Sequence, residues 1–177
     1  MRIIAGRLKS LQFKSPRGRR THPMSEKARS ALFNILGDVE GLTMLDAFGG
    51  SGGISFEAAS RGVSRVICVD SDKQAYRTIT ENIEKLGLGE IVHATIANVS
   101  SWADNNRDER FDIVVCDPPY NDIRLNIIQK LANMVEYKGL LVLSWPAAFD
   151  LPEFIGMNIE SERNHAGLKL VIYCRTM

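Results

Sequence analysis

Five near-continuous apolar runs, separated by stretches with helical periodicity, restrict this chain to an α/β architecture. The runs are TMLDAF (43–48), RVICVD (65–70), EIVHATI (90–96), FDIVVCD (111–117) and GLLVLSW (139–145). Strands without polar alternation are buried on both faces, as happens when helices cover both sides of a parallel sheet. Helical patterns are expected at SEKARSALFNIL, from the glycines near position 50 to about Arg61, from Lys73 to about Leu86, and over roughly 122–135. In the first of these, Ser25 serves as cap, Gly37 as stop, and Ala28, Leu32, Ile35 and Leu36 as the apolar stripe. The last two runs, MNIESERN (157–164) and LKLVIYC (168–174), are joined by HAG alone. That link is too short for a crossover helix, so the pair must be antiparallel. The expected fold is a doubly wound, mostly parallel seven-strand sheet that ends in an antiparallel hairpin.

The charge is unevenly placed. The net charge is only +1, yet residues 1–29 hold nine of the 22 Lys and Arg against one acid, Glu26. A basic arm on an acidic body suits a polyanion, and nucleic acid comes first. A solvated tail would look similar, but RIIAG and LQF interleave apolar residues with the charges and favour a short hairpin. Residues 1–24 are therefore expected to form a basic arm, with Arg2, Arg7, Lys9, Arg17, Arg19 and Arg20 meeting RNA, and residues 25–177 a single domain. A chain of 177 residues is long enough to bury roughly 70% of its unfolded surface. No apolar run of about 18 residues is present and MRIIAGRLKS lacks a signal-type h-region, so neither a membrane span nor a secretory leader is expected. Cys68, Cys116 and Cys174 lie in separate apolar runs, and His22, His93 and His165 stand alone. These read as reduced thiols and isolated imidazoles in a cytoplasmic, metal-free monomer.

After the first strand comes LDAFGGSGGISFEAASRG. Gly49, Gly50, Gly52 and Gly53 allow a tight turn and close approach of a ligand to amides at a helix N-terminus. Such turns are common, but two acids sharpen this one. Asp46 precedes the loop, and Asp70 ends the next strand, 24 residues on, where a ribose-binding acid belongs. Asp70 could alternatively cap the next helix, a task open equally to Ser71 or Asp72. A dinucleotide fingerprint wants a third glycine where this chain has Ser55. An acid before the turn also repels a pyrophosphate. It suits a cationic ligand free of phosphate, with an amino acid moiety and a ribose, and S-adenosylmethionine is such a molecule.

The fourth strand ends in Asp117-Pro118-Pro119-Tyr120. Prolines cannot donate to a sheet ladder, so the strand must stop there with a rigid turn. An exocyclic amine is a poor nucleophile because its lone pair is delocalised into the base. Asp117 and the carbonyl of Pro118 could accept its two N–H groups and aim that lone pair, while Tyr120 offers a face for an extruded base. The plain alternative is a strand-end turn with a surface tyrosine.

LDAFGGSGG resembles the first motif of class I S-adenosylmethionine-dependent methyltransferases, whose sheet usually ends in an antiparallel hairpin. DPPY resembles the (D/N)PP(Y/F) motif of enzymes that methylate exocyclic amines of nucleic-acid bases or of glutamine. More closely, RIIAGRLKSLQF, THPMSEKARSALFNIL, LDAFGGSGGISFEAASRG, VD and DPPY are together similar to the RsmD family, across nearly the whole chain. Those are bacterial methyltransferases of guanine N2 in 16S ribosomal RNA. The resemblance implies the class I fold with a small N-terminal basic hairpin, S-adenosyl-L-methionine as cofactor, and ribosomal RNA or the small ribosomal subunit as partner. It implies cofactor contacts from Asp46, Phe48, Gly49, Gly50, Ser51, Gly52, Asp70, Ser71, Asn98 and Asp117, and catalysis at Asp117, Pro118, Pro119 and Tyr120. Three positions depart from the family pattern: His22 replaces an arginine, Ser30 an acid, and Asn98 the acid usual near the adenine.

Three other functions compete with this one. An adenine-N6 methyltransferase shares the DPPY chemistry, but no separate target-recognition domain is visible. A nicotinamide-dependent dehydrogenase fits neither the glycine spacing nor DPPY, and a non-catalytic RNA-binding module leaves both motifs without a use.

Overall fold

The computed structural model describes residues 1–16, 24–119, 123–165 and 167–177. Seven strands form one sheet: β1 (Thr43–Asp46), β2 (Arg65–Asp70), β3 (Val92–Ile96), β4 (Phe111–Cys116), β5 (Val135–Pro146), β6 (Met157–His165) and β7 (Leu168–Arg175). Their order is β3-β2-β1-β4-β5-β7-β6, parallel through β5 and antiparallel where β7 pairs with β5 and β6. The helices are α1 (Glu26–Leu36), α2 (Gly53–Ser60), α3 (Lys73–Leu86), α4 (Val99–Asn105) and α5 (Leu125–Ala132). This is the fold expected from the apolar runs and the short final link.

Two cores lie on opposite faces of the sheet. Leu32 and Phe33 of α1, Ile54 and Phe56 of α2, and Ile79 and Ile83 of α3 pack with Met44, Cys68 and Val115. Val99 and Ala103 of α4 and Ile128 and Leu131 of α5 pack with Leu45, Val69, Val114 and Cys116. Successive strand residues thus serve alternate faces, and their uniform apolarity follows from both faces being covered.

Four local details differ from the sequence expectation. Helix α1 buries Arg29, Leu32 and Phe33, while Ala28, Ile35 and Leu36 stay half-buried. Its inner face includes Arg29, which reaches the arm through the Arg2 carbonyl and the Phe13 ring, and Phe33, which packs into the core. Helix α4 was not foreseen: over seven residues only Val99 and Ala103 are buried, too few to set a helical period. Helix α5 is shorter than 122–135, running Leu125–Ala132. Strand β5 begins at Val135 rather than 139, with Lys138 at φ 65° and an irregular register opposite Phe111–Ile113. A side chain at Gly139 would come within 2.7 Å of the Asp112 carbonyl oxygen, so glycine permits the close approach there.

The arm folds back on itself. Arg2 and Gln12 form an antiparallel bridge, with Ile3 N–H donating to Leu11 and Ser10 N–H to Ile3. Ile3 and Phe13 are buried, and Phe13 meets Phe56 edge-on at 5.1 Å between ring centroids. Side chains of the body hold the arm's backbone. Glu57 accepts from the amides of Ile4 and Ala5 at 2.8 and 3.0 Å. Ser60 Oγ donates to the Ala5 carbonyl and accepts from the Leu8 amide. Asn82 accepts from the Lys14 amide and donates to its carbonyl. Gly6, at φ 76°, sits so close to Ser60 that a Cβ there would meet its carbonyl oxygen. Among the described residues, no helix is long and apolar enough to cross a membrane.

Candidate active site

Strand order reverses between β1 and β4, which leaves a crevice at the carboxyl ends of the two strands. In open α/β sheets ligands bind at such a switch point. Three acids converge there. Asp46 ends β1, in register with Cys68 of β2 on one side and Val115 of β4 on the other. Asp70 and Asp117 each lie two residues beyond those partners. They flank the central acid from both neighbouring strands.

Asp46 is 2% exposed, and its Oδ2 accepts from Ser55 Oγ at 2.7 Å. Burial pushes its carboxyl up to about 6; the Ser55 hydroxyl opposes this, and the charges of Asp117 and Asp70 add to it. An acid raised by folding favours the folded state when protonated. Its stabilisation is complete below the unfolded value near 4 and is lost as pH rises through about 6. Above that, the buried charge costs on the order of 3 kcal/mol. A cation placed against Asp46 would offset that cost. Burial also pushes the thiols of Cys68 and Cys116 upward, so both stay neutral beside the site.

The glycine loop wraps this acid. Gly49 donates to the Val69 carbonyl at 2.9 Å, and a Cβ on it would lie 2.4 Å from Cys68 Sγ. Gly50 donates to Asp70 Oδ2 at 2.7 Å, so the second acid also braces the loop. Gly52, at φ 75°, is the N-cap of α2, and a Cβ there would meet the Phe56 ring at 2.6 Å. These glycines are required by left-handed backbone and by contact distance. Ser51 is buried, Phe48 half-buried and Ser71 exposed. Capping of α3 falls to Asp72, which accepts from Gln74 and Ala75, so Asp70 is not the cap.

Asn98 follows β3 beside Asp70, whose carbonyl accepts from the Ala97 amide. Its Oδ1 accepts from Ser100 and Ser101 as the N-cap of α4, which leaves its NH2 as the group able to meet an adenine edge. Asp117 is half-buried, Pro118 buried and Pro119 exposed. Tyr120, Arg17, Arg19, Arg20 and His22 lie outside the described residues. Of the arm's cations, Arg2, Arg7 and Lys9 are exposed, and Arg2 pairs with Glu26 at 2.9 Å. Arg2, Lys9, Ser10, Glu26 and Lys27 line an open cleft of about 320 Å³ with Ile3 and Ile4. No group of three or more metal-binding side chains occurs among the described residues.

Two residues of consequence escaped the sequence reading. Ser55 is visible there only as the serine that replaces a fingerprint glycine. Glu57 is the one acid in GISFEAAS, a helix buried on every side. An acid with no solvent face available was the signal for a buried partner, Arg29.

The family model described as "Conserved hypothetical protein 95" matches residues 1–174. The chain is 32% identical over 176 residues to "Putative rRNA methyltransferase YlbH" of Bacillus subtilis (strain 168), covering 95% of each. It is 27% identical over 143 residues to "Ribosomal RNA small subunit methyltransferase D" of Escherichia coli (strain K12), covering 80% of this chain and 69% of that protein. Among solved structures, "Putative methyltransferase yhhF from Escherichia coli" superposes with a TM-score of 0.89 at 23% identity, over 99% of this chain and 98% of the other. At that identity the likeness is one of fold.

Proposed function

This chain belongs to the RsmD family, and we propose that it transfers a methyl group from S-adenosylmethionine to the exocyclic N2 of a guanine in 16S ribosomal RNA. The observation that carries this reading is the convergence of Asp46, Asp70 and Asp117 around a glycine loop at the switch point. Three carboxylates, one buried, suit a ligand with a sulfonium, an ammonium and a ribose diol, and are hostile to a phosphate. Bound there, S-adenosylmethionine supplies an electrophilic methyl group. Asp46 faces the ammonium, Asp70 accepts from the ribose hydroxyls, and Phe48, Gly49, Gly50, Ser51, Gly52, Ser71 and Asn98 complete the lining.

Asp117 and the Pro118 carbonyl accept the two N–H groups of the target amine and turn its lone pair outward. As the nitrogen–carbon bond forms, the carbon–sulfur pair returns to sulfur, and the amine's proton leaves along the hydrogen bond to Asp117. The test is incubation with labelled S-adenosylmethionine and ribosomal RNA, free or assembled into subunits, followed by nucleoside analysis. Label in N2-methylguanosine is expected. Label in N6-methyladenosine would replace this reading with the adenine one.

Asp70→Ala should weaken S-adenosylhomocysteine binding at least tenfold, because one carboxylate serves both the ribose and the Gly50 amide. Calorimetric titration checks this, and unchanged affinity in a folded variant would remove Asp70 from the site.

The exposed cations of the arm, together with Lys27 in the first turn of α1, are assigned to RNA phosphates. Replacing Arg7, Lys9 and Lys27 together by alanine should weaken RNA binding and lower the logarithmic salt slope by about 2 on single strands. Affinity for S-adenosylhomocysteine should stay within a factor of about two. Measurement at several salt concentrations decides, and an unaltered slope would make the arm purely structural.

A further inference from the structure

Asp46 lies at the centre of the site with one carboxylate oxygen already engaged. Its Oδ2 accepts from Ser55 Oγ at 2.7 Å, and the two residues are 2% and 0% exposed. Ser55 is the third residue of α2 and arrives from across the glycine loop, so the loop's closure brings donor and acceptor together. Among the described residues, Ser55 alone donates to this carboxylate. A hydrogen bond shielded from water is stronger than an exposed one and fixes its partner's rotamer.

We propose that Ser55 is a positioning residue for cofactor binding: its hydroxyl holds the Asp46 carboxylate charged and in one orientation, leaving Oδ1 to accept from the cofactor's α-ammonium. This rests on the reading of the site as a pocket for an S-adenosyl compound. The groups facing Asp46 make the need plain. From β2 come Cys68 and Asp70, and from β4 come Cys116 and Asp117. Both thiols are neutral, so neither can compensate a carboxylate, and both acids repel one. Burial acts in the same direction. Of the groups around Asp46, Ser55 therefore favours the charged form, whereas burial, Asp117 and Asp70 oppose it. Without the hydroxyl the acid takes up a proton at higher pH, and a protonated carboxyl no longer attracts an ammonium.

The experiment is titration with S-adenosylhomocysteine between pH 5 and 8.5, for the wild-type chain and for Ser55→Ala, Ser55→Cys and Ser55→Thr. The wild type should bind progressively more weakly as the pH falls through the titration of Asp46. Ser55→Ala should move that acid limb upward by about one pH unit, the value of one charge-assisted hydrogen bond. With limbs near pH 6 and pH 7, the loss is about threefold at pH 6.5, approaches tenfold toward pH 5, and all but disappears by pH 8.5. Ser55→Cys, with a weak donor of similar size, should follow Ser55→Ala and substitutes for it if that variant fails to fold. Ser55→Thr keeps the hydroxyl and should keep the wild-type limb. A Ser55→Ala limb at the wild-type position, with affinity lowered equally at every pH or not at all, overturns the proposal. Failure of the wild type to bind at any pH would instead overturn the cofactor reading on which it rests.

Discussion

Asp117→Ala should lower methyl transfer by a factor on the order of 10² or more while leaving affinity for S-adenosylhomocysteine nearly unchanged. The two effects separate because the assigned partner of Asp117 is the target amine, whereas the cofactor contacts proposed above fall chiefly on β1, β2 and the glycine loop. The neighbouring charge on Asp46 offers a second check. Asp117 helps to raise the Asp46 carboxyl, so its removal should let Asp46 stay ionised to slightly lower pH. Cofactor binding by the variant should therefore persist, or improve slightly, on the acid side. Asp117→Asn retains one acceptor oxygen and should keep at least tenfold more activity than the alanine variant. Single-turnover rates with saturating cofactor measure this directly, and an alanine variant within threefold of wild type would remove Asp117 from catalysis.

Much of this architecture was readable from the order of the runs, for a physical reason. A parallel strand covered on both faces must be apolar throughout, so β1 to β4 announce themselves without periodicity. A three-residue link between the last two runs admits only a hairpin. The acids were equally legible, because a carboxylate at the end of a buried strand is expensive unless a ligand or partner meets it. What escaped notice depended on contacts remote in sequence. Helix α4 has only two buried side chains, and its defining feature is the Asn98 cap, which the sequence reading assigned to the adenine alone. Ser55 looked like a lapse from a glycine pattern because its partner, Asp46, lies nine residues back across a turn. The inner face of α1 was only partly legible: Leu32, Ile35 and Leu36 do meet the core, but an arginine is not counted as apolar, and Arg29 is fully buried.

That arginine ties the arm to the site, and Glu57→Ala should expose the connection as a large loss of stability. Glu57 is fully buried, accepts from two arm amides and from Arg61 Nε at 2.9 Å, and its Oε2 lies 3.6 Å from Arg29 Nε. Arg29 donates to the Arg2 carbonyl at 2.6 Å, while its Nε has no hydrogen-bond partner among the described residues. Burial lowers the Arg29 pKa, and Glu57 is the chief charge opposing that shift. Removing the carboxylate strands a buried guanidinium and leaves two arm amides unpaired. Breaking one side of such a pair costs about 3–5 kcal/mol, which for a chain of this size is roughly 10 °C in Tm. Glu57→Ala combined with Arg29→Met should recover part of the loss, since an apolar pair carries no desolvation penalty. The disturbance should also reach the ligand site, because a Cβ on Gly53 would lie 3.1 Å from an Arg29 Nη and 3.5 Å from Met1 Cε. The first turn of α2 is therefore supported from behind by the arm, and that turn carries Ser55. Thermal unfolding and S-adenosylhomocysteine titration of the single and double variants measure both consequences. A Glu57→Ala chain with wild-type Tm and affinity would show that the arm rests on the body without bearing on it.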